Sequence, residues 1–282
     1  MYVLMSPCIL NPELRARGIT RESDLHAFGR AIERCRSFGI EIVPLPCPET
    51  LYLGKDREPG TFLERLNTGD FSLVLKDLED NIREIIARKG PPLCIIGVNS
   101  SPTCGVDTTF YGSDNSGSAK RLGRGVFIDR FPDIPAIDVQ VFSRYHVYLA
   151  APLFSAAERR FNEWLSGVLA RHLFKVYLPQ EAGEDGCERG IGAQHAIFTR
   201  HCEALSHVDV VIAVIDGADA DSGTAWEMGY AFARNIPVIS FRTDFRRAGV
   251  HEHVNLMLEQ SSCVVRGEED MLKALHSPFF LD

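Results

Sequence analysis

Short apolar runs alternate with longer amphipathic stretches along the whole chain, and this alternation predicts a parallel α/β architecture. In the first half the apolar runs predict strands at 2–6, 40–45, 92–98 and 135–141. Leu25, Phe28, Ile32 and Cys35 recur at helical spacing and predict a helix over about 23–38, and a second helix is expected over about 77–89. Residues 99–124, SSPTCGVDTTFYGSDNSGSAKRLGRG, break the pattern with Gly, Ser and Thr. An idle connection of that length is uncommon in a compact domain, so a functional loop is expected there.

A fresh strand begins at His146, and the alternation then repeats. Ser155 and Glu158 form a capping-box pattern that opens a helix over about 155–171. Beyond it the pattern predicts a strand at 174–178, a helix at 193–206, the buried strand DVVIAVID at 209–216 and a helix at 223–234. A strand at 237–241 and a strand–helix pair over 262–275 complete the series. The expected fold class is therefore α/β, as two Rossmann-like or flavodoxin-like domains with mainly parallel sheets, over residues 1–142 and 146–282.

Composition narrows the function. The chain of 282 residues is 45% apolar and 24% charged, as in a globular protein. Its net charge is −8 and its Lys and Arg residues are scattered, which argues against nucleic acid or an anionic membrane as partner. No apolar run reaches the roughly 18 residues of a membrane span. The opening MYVLMSPCIL lacks a basic leader and reads as a first strand, so a cytoplasmic location is expected. Eight cysteines in such a chain do not suggest a disulfide framework. Cys35, Cys94 and Cys263 read as small core residues, and Cys187 and Cys202 as ambiguous.

Ligands of open α/β sheets bind at the carboxyl ends of strands. The chain leaving strand 209–216 carries Asp216, Asp219 and Asp221, then Gly223, Trp226 and Glu227 as a helix begins. Glu227 sits among Ala, Trp, Met and Gly, which limits water access, while the helix dipole is expected to favour its ionised form. An ionised carboxylate there suits nucleophilic catalysis; alternatively, Asp221 or Ser222 caps the helix and Glu227 is a solvated charge.

The segment DSGTAWEMGYA, residues 221–231, resembles the signature of the nucleoside 2-deoxyribosyltransferase family. Tyr148 to Phe154, Val176 to Gln180 and Val254 to Met257 match further segments of that family in the same order. The resemblance implies Glu227 as the nucleophile that forms a covalent deoxyribosyl ester, and Asp221 as the acid that binds the sugar hydroxyls. It implies that Asn255 reaches the 5′-hydroxyl in a neighbouring subunit's site, hence a homo-oligomer with a shared active site. Tyr148, Phe154, Gln180, Gly223, Trp226 and Met257 join the expected substrate-binding set. Related nucleotide N-glycosidases carry hydroxyl residues in place of Asp221 and Asn255. A carboxylate facing a 5′-phosphate costs about 1–4 kcal/mol at 4 Å, so a nucleoside is expected rather than a nucleotide. Two departures stand out. His201 occupies the position of the aspartate that protonates the departing base, and Ala151 that of a common glycine. The expected activity is cleavage or transfer of an N-glycosidic bond in nucleoside salvage, without a cofactor. A purely hydrolytic N-glycosidase or a nucleoside sensor without turnover is the alternative, and His201 is the feature that favours it.

In the first half, Cys8, Cys47 and Cys104 each follow a strand, so parallel strands would bring them to one sheet edge. Three thiolates suit zinc or an iron–sulfur cluster. Ser6-Pro7-Cys8, Cys47-Pro48-Glu49 and Ser101-Pro102-Thr103-Cys104-Gly105 resemble the three cysteine motifs of the thiouracil desulfidase family, and 125–135 resembles its last helix and strand. Residues 50–75 depart from that family. The resemblance implies a [4Fe–4S] cluster on three cysteines with an open iron for sulfur, and Glu49 and Ser101 as proton-handling groups. A fused enzyme for thiolated bases and their nucleosides is then expected; a degenerate first domain that only supports assembly is the alternative.

Overall fold

The computed structural model describes residues 1–112, 119–182, 191–247, 249, 252 and 254–276. The chain divides into two compact units, Met1–Ser143 and Arg144–Asp282. Cys187 lies outside the described residues, and the described cysteines are free thiols.

In the first unit the elements run β1 (Tyr2–Met5), α1 (Pro7–Leu10), α2 (Glu22–Ser37), β2 (Glu41–Pro44), α3 (Pro48–Leu53), α4 (Phe62–Arg65) and α5 (Gly69–Lys89). They continue through β3 (Ile95–Gly97), β4 (Thr108–Phe110), β5 (Lys120–Leu122), β6 (Ala136–Asp138) and α6 (Val139–Phe142). Four strands form a parallel sheet in the order β2-β1-β3-β6, with Tyr2 opposite Glu41, Leu4 opposite Ile95 and Ile95 opposite Ala136. Tyr2, Val3, Leu4 and Met5 are all buried, as expected of a strand covered on both faces.

Several expectations for this unit change. The buried face of α2 is Ala27, Phe28, Ala31, Arg34 and Cys35, whereas Leu25 is exposed at the margin of the stripe. Helix α5 begins at Gly69 rather than near 77 because Thr68 caps it, and Phe71 and Leu75 extend backwards the apolar face that includes Ile82. The strand expected at 135–141 stops at Asp138, whose side chain accepts from Gln140 N (2.9 Å) and turns the chain into α6. Within 99–124, β4 and β5 pair antiparallel, and Asn99 Oδ1 accepts from the backbone N–H groups of Val106 and Asp107.

The second unit runs β7 (His146–Ala150), α7 (Ala156–Arg171), β8 (Lys175–Tyr177), α8 (Ile191–Ser206), β9 (Val210–Val214) and α9 (Ser222–Ala233). It ends with β10 (Val238–Phe241), α10 (Leu256–Gln260), β11 (Cys263–Val265) and α11 (Glu268–His276). Its strands are all parallel, in the order β11-β10-β9-β7-β8. The expected capping box is present at α7, where Ser155 N donates to Glu158 (2.6 Å) and Glu158 N to Ser155 Oγ (3.2 Å). Asp209 accepts from the backbone N–H groups of Tyr145 (2.9 Å) and His146 (2.8 Å), which ties the start of β7 to the start of β9. From β7 the chain goes outward to β8 and then returns past β7 to β9. The strand order reverses there, and the crevice outside the carboxyl ends of β7 and β9 is the favoured ligand position of such a sheet.

Candidate functional site

Tyr148 and Glu227 meet at that crevice although 79 residues separate them. Tyr148 is fully buried on β7, and its hydroxyl donates to Glu227 Oε1 on α9. The carboxyl is half-buried, and burial pushes its pKa up to about 7; the Tyr148 hydrogen bond opposes the rise and the charge of Asp221 adds to it. This corrects the expectation that the helix dipole would dominate. Glu227 lies beyond the first turn of α9, where the dipole has faded, so desolvation decides.

Tyr148 also stacks on Tyr177 at the end of β8 (centroids 5.2 Å apart, planes 18° from parallel). Tyr177 Oη lies 3.0 Å from His201 Nδ1 on α8. Cys202 stands close enough for the charge of Glu227 to raise its thiol, although burial is the larger cause. Glu227, Asp221, Tyr148, Tyr177, His201 and Cys202 thus form one cluster. Sequence reasoning selected four of these and missed Tyr177 and Cys202, the former quoted only within a motif.

Asp221 caps α9: Oδ2 accepts from Gly223 N (2.9 Å) and Thr224 N (3.1 Å). Gly223 has a packing reason, since a Cβ there would come 3.1 Å from that same Oδ2. Trp226 is partly exposed and stacks on Tyr230 (5.4 Å, 24°), with Phe198 tilted against it (5.7 Å, 58°). The Gln180 amide is fully engaged with α7, accepting from Asn162 Nδ2 (3.1 Å) and donating to Arg159 O (3.1 Å) and Glu163 (3.3 Å). Phe154 and Met257 are 76% and 75% exposed. Asn255 caps α10 through Met257 N (3.0 Å). Asp216 closes the exit of β10, accepting from Thr243 N (2.6 Å) and Asp244 N (2.8 Å).

In the first unit a cavity of about 840 Å³ is lined by Cys8, Cys47, Cys104, Glu49, Arg57 and Ser101 among others. Cys8 lies in α1, Cys47 is the N-cap of α3 and Cys104 follows β3, so all three stand beyond the carboxyl ends of adjacent parallel strands. Burial pushes the Cys8 thiol up to about 12, and burial followed by the nearness of Cys8 and Cys47 raises Cys104. A polar network runs from Cys47 to Cys104. The Thr50 hydroxyl donates to Cys47 Sγ (3.1 Å) and accepts from Arg57 Nη1 (3.0 Å), while Arg57 Nε pairs with Glu49 Oε2 (3.3 Å). Glu49 Oε1 accepts from Thr103 Oγ1 (2.8 Å) and Ser101 Oγ (3.2 Å), and Ser101 Oγ in turn accepts from Cys104 N (3.0 Å). No group of three His, Cys, Asp or Glu side chains among the described residues converges on a single metal ion, which disfavours the zinc alternative.

The second unit is thus an open, parallel, flavodoxin-like α/β unit with a half-buried carboxyl group at its switch point. The family model described as nucleoside 2-deoxyribosyltransferase matches residues 147–265, which is similarity over less than half of the chain. An uncharacterized protein of Methanocaldococcus jannaschii is 30% identical over 106 residues, which is 36% of this chain and 66% of that protein, just under two thirds of its length. The solved 2-deoxyribosyltransferase of Bacillus psychrosaccharolyticus is 25% identical, with a TM-score of 0.41 over 45% of this chain and 89% of its own. A [4Fe–4S]-dependent thiouracil desulfidase is similar at 14% identity, with a TM-score of 0.34 over 49% of this chain and 89% of its own. At those scores neither structure bears on the chemistry. No helix among the described residues is long and apolar enough to cross a membrane.

Proposed function

We propose that the second unit breaks the N-glycosidic bond of a 2-deoxynucleoside by nucleophilic attack of Glu227 on the anomeric carbon. The observation that carries this reading is the half-buried Glu227 carboxyl held by Tyr148 beside the switch point of the sheet. Burial strips water from the carboxylate and Tyr148 fixes one oxygen, leaving the other free to attack. The bond from sugar to base breaks with its electron pair on the base, and the sugar is held as an ester of Glu227. A second base then completes transfer, or water completes hydrolysis. A nucleoside fits better than a nucleotide, because the N-terminus of α9 would otherwise attract a phosphate and is already occupied by the Asp221 carboxylate. Exposed Phe154 and Met257, close in sequence to β7 and to Asn255, support a second copy completing the site. Incubation with a deoxynucleoside and a different free base tests the reading. The swapped nucleoside or the free sugar should appear, with a deoxyribosyl adduct on Glu227 by mass spectrometry. Neither product with any of the common bases would refute it.

A second reading concerns the first unit. The convergence of Cys8, Cys47 and Cys104 on one cavity favours a [4Fe–4S] cluster held by these three cysteines. Such a cluster, when bound, supplies a Lewis-acidic iron able to take sulfur from a thiocarbonyl. The residues of the chain do the rest: Glu49 and Ser101 hold or move a proton beside the cavity, and Arg57 holds Glu49 in place. Anaerobic reconstitution should give about four irons and four sulfides per chain, lost in the C8S, C47S and C104S variants. Wild-type protein that takes up no iron with its thiols reduced would refute this reading.

A further inference from the structure

Beside Glu227 lies a pair of groups that the sugar chemistry leaves without a task. Tyr177 Oη is 3.0 Å from His201 Nδ1, and the two rings meet nearly edge to face, with centroids 5.9 Å apart and planes at 80°. Tyr177 is itself anchored by its stack on Tyr148, the residue that holds Glu227. The position and the plane of the imidazole are therefore both set from the catalytic carboxyl outward.

A tyrosine–imidazole hydrogen bond has two directions, and they give opposite chemistry at the far nitrogen. Among the described residues, the Tyr177 hydroxyl proton has one acceptor, Nδ1 of His201. Burial raises the Tyr177 hydroxyl and lowers the His201 imidazole, so the first keeps its proton and the second is neutral near pH 7. If Nδ1 carried the ring proton, the tyrosine proton would be left without a partner beside a half-buried site. With Tyr177 as donor, the single imidazole proton stands on Nε2, which has no protein partner among the described residues.

We propose that Tyr177 is a positioning residue that fixes His201 as an Nε2–H donor, and that this donor selects nucleobases presenting an unprotonated ring nitrogen or carbonyl oxygen to it. The proposal rests on the deoxyribosyl reading of Glu227 and names the substrate class of that site. The bond from C1′ to the base nitrogen breaks with its electron pair on the base while C1′ bonds to a Glu227 oxygen. His201 donates a hydrogen bond to the charge gathering on the base and keeps its own proton, and the base takes a proton from water.

Two measurements test it. Long-range proton–nitrogen NMR of the labelled wild-type protein should show His201 as the Nε2–H tautomer, and Y177F should show a mixture. In kinetics, 2-deoxyadenosine is compared with its 1-deaza, 3-deaza and 7-deaza analogues, each lacking one acceptor. Wild type should lose about tenfold or more in kcat/KM on one of them, Y177F should keep part of that selectivity, and H201F should lose it. An Nδ1–H tautomer in wild type, or equal selectivity in H201F, overturns the proposal. Calorimetric titration separates the two levels. If wild type and E227Q bind none of these nucleosides, the reading of Glu227 falls and this inference with it. If wild type binds and turns over these nucleosides while H201F discriminates as wild type does, the inference alone falls.

Discussion

Replacing Glu227 with Gln should abolish the chemistry and stabilise the second unit, by an amount that depends on pH in a defined direction. In the folded chain the Glu227 carboxyl holds its proton up to about pH 7, against a usual value near 4.5. Between those two values the folded state binds more protons than the unfolded state, so stability falls as pH rises across that window. Above it, the wild type carries the whole cost of an ionised group in a desolvated place. Lifting a carboxyl from 4.5 to about 7 corresponds to about 3 kcal/mol. Gln has the same shape, its carbonyl can accept from Tyr148, and it brings no charge for Asp221 to repel. E227Q should thus exceed wild type by about 3 kcal/mol at pH 8.5, and by less than about 1 kcal/mol at pH 5.

Denaturant melts of the two proteins, followed at several pH values by tryptophan fluorescence, measure the gap directly. Single-turnover glycosidic cleavage should rise with pH to half its maximum near pH 7 in wild type. It should fall on the order of a thousandfold or more in E227Q. Equal stability of the two proteins at every pH, or a wild-type rate flat from about pH 5 to 8, would show that the carboxyl is not desolvated. The account of its reactivity would then be wrong.

Y148F removes the hydrogen bond that holds the Glu227 value down, and D221N removes the charge that holds it up. The acidic limbs of the pH–rate profiles should therefore fall in the order D221N, wild type, Y148F from low to high pH, and any other order contradicts the assignment. R57M leaves the Glu49 carboxylate buried without its cation, and chemical denaturation should report a loss of about 3 kcal/mol. R57M combined with E49Q should recover much of that loss if the pair is responsible. Ile212→Ala, at a fully buried position in the central strand β9, should cost about 2–5 kcal/mol by the same measurement.

Much of the architecture was legible in the residues, for a definable reason. Parallel strands buried on both faces need unbroken apolar runs, and YVLM and VVIAV announce themselves whatever surrounds them. Short helices did not announce themselves: α6 and α10 are set by the caps Asp138 and Asn255, single residues whose effect depends on the turn that precedes them. The start of α5 was hidden because Gly69 follows its cap Thr68. Within the site, a position at a strand end was readable, and so the three cysteines could be grouped before any coordinates. Pairing across the sheet was not. Tyr148 with Glu227, and Tyr177 with His201, are joined by strand order rather than by spacing, and nothing local distinguishes them from core aromatics. Gln180, expected at the site only through the family resemblance, has its amide bonded to Asn162 and Arg159 of α7, a contact that no local pattern announces.

The same edge geometry explains why Asp221 admitted two readings and why they do not compete. An N-cap residue has an extended backbone and bends its side chain over the first turn, where one carboxylate oxygen is enough to satisfy the free N–H groups. Asp221 uses Oδ2 for Gly223 and Thr224, and its other oxygen makes no hydrogen bond among the described residues. Cys47 caps α3 in the same way, with its sulfur turned toward Thr50 and the thiol-lined cavity. In each unit a reactive side chain stands where a helix starts because capping holds it there, beyond the carboxyl end of a parallel strand. The cap contributes rigidity, and it leaves part of each side chain's hydrogen-bonding capacity unused.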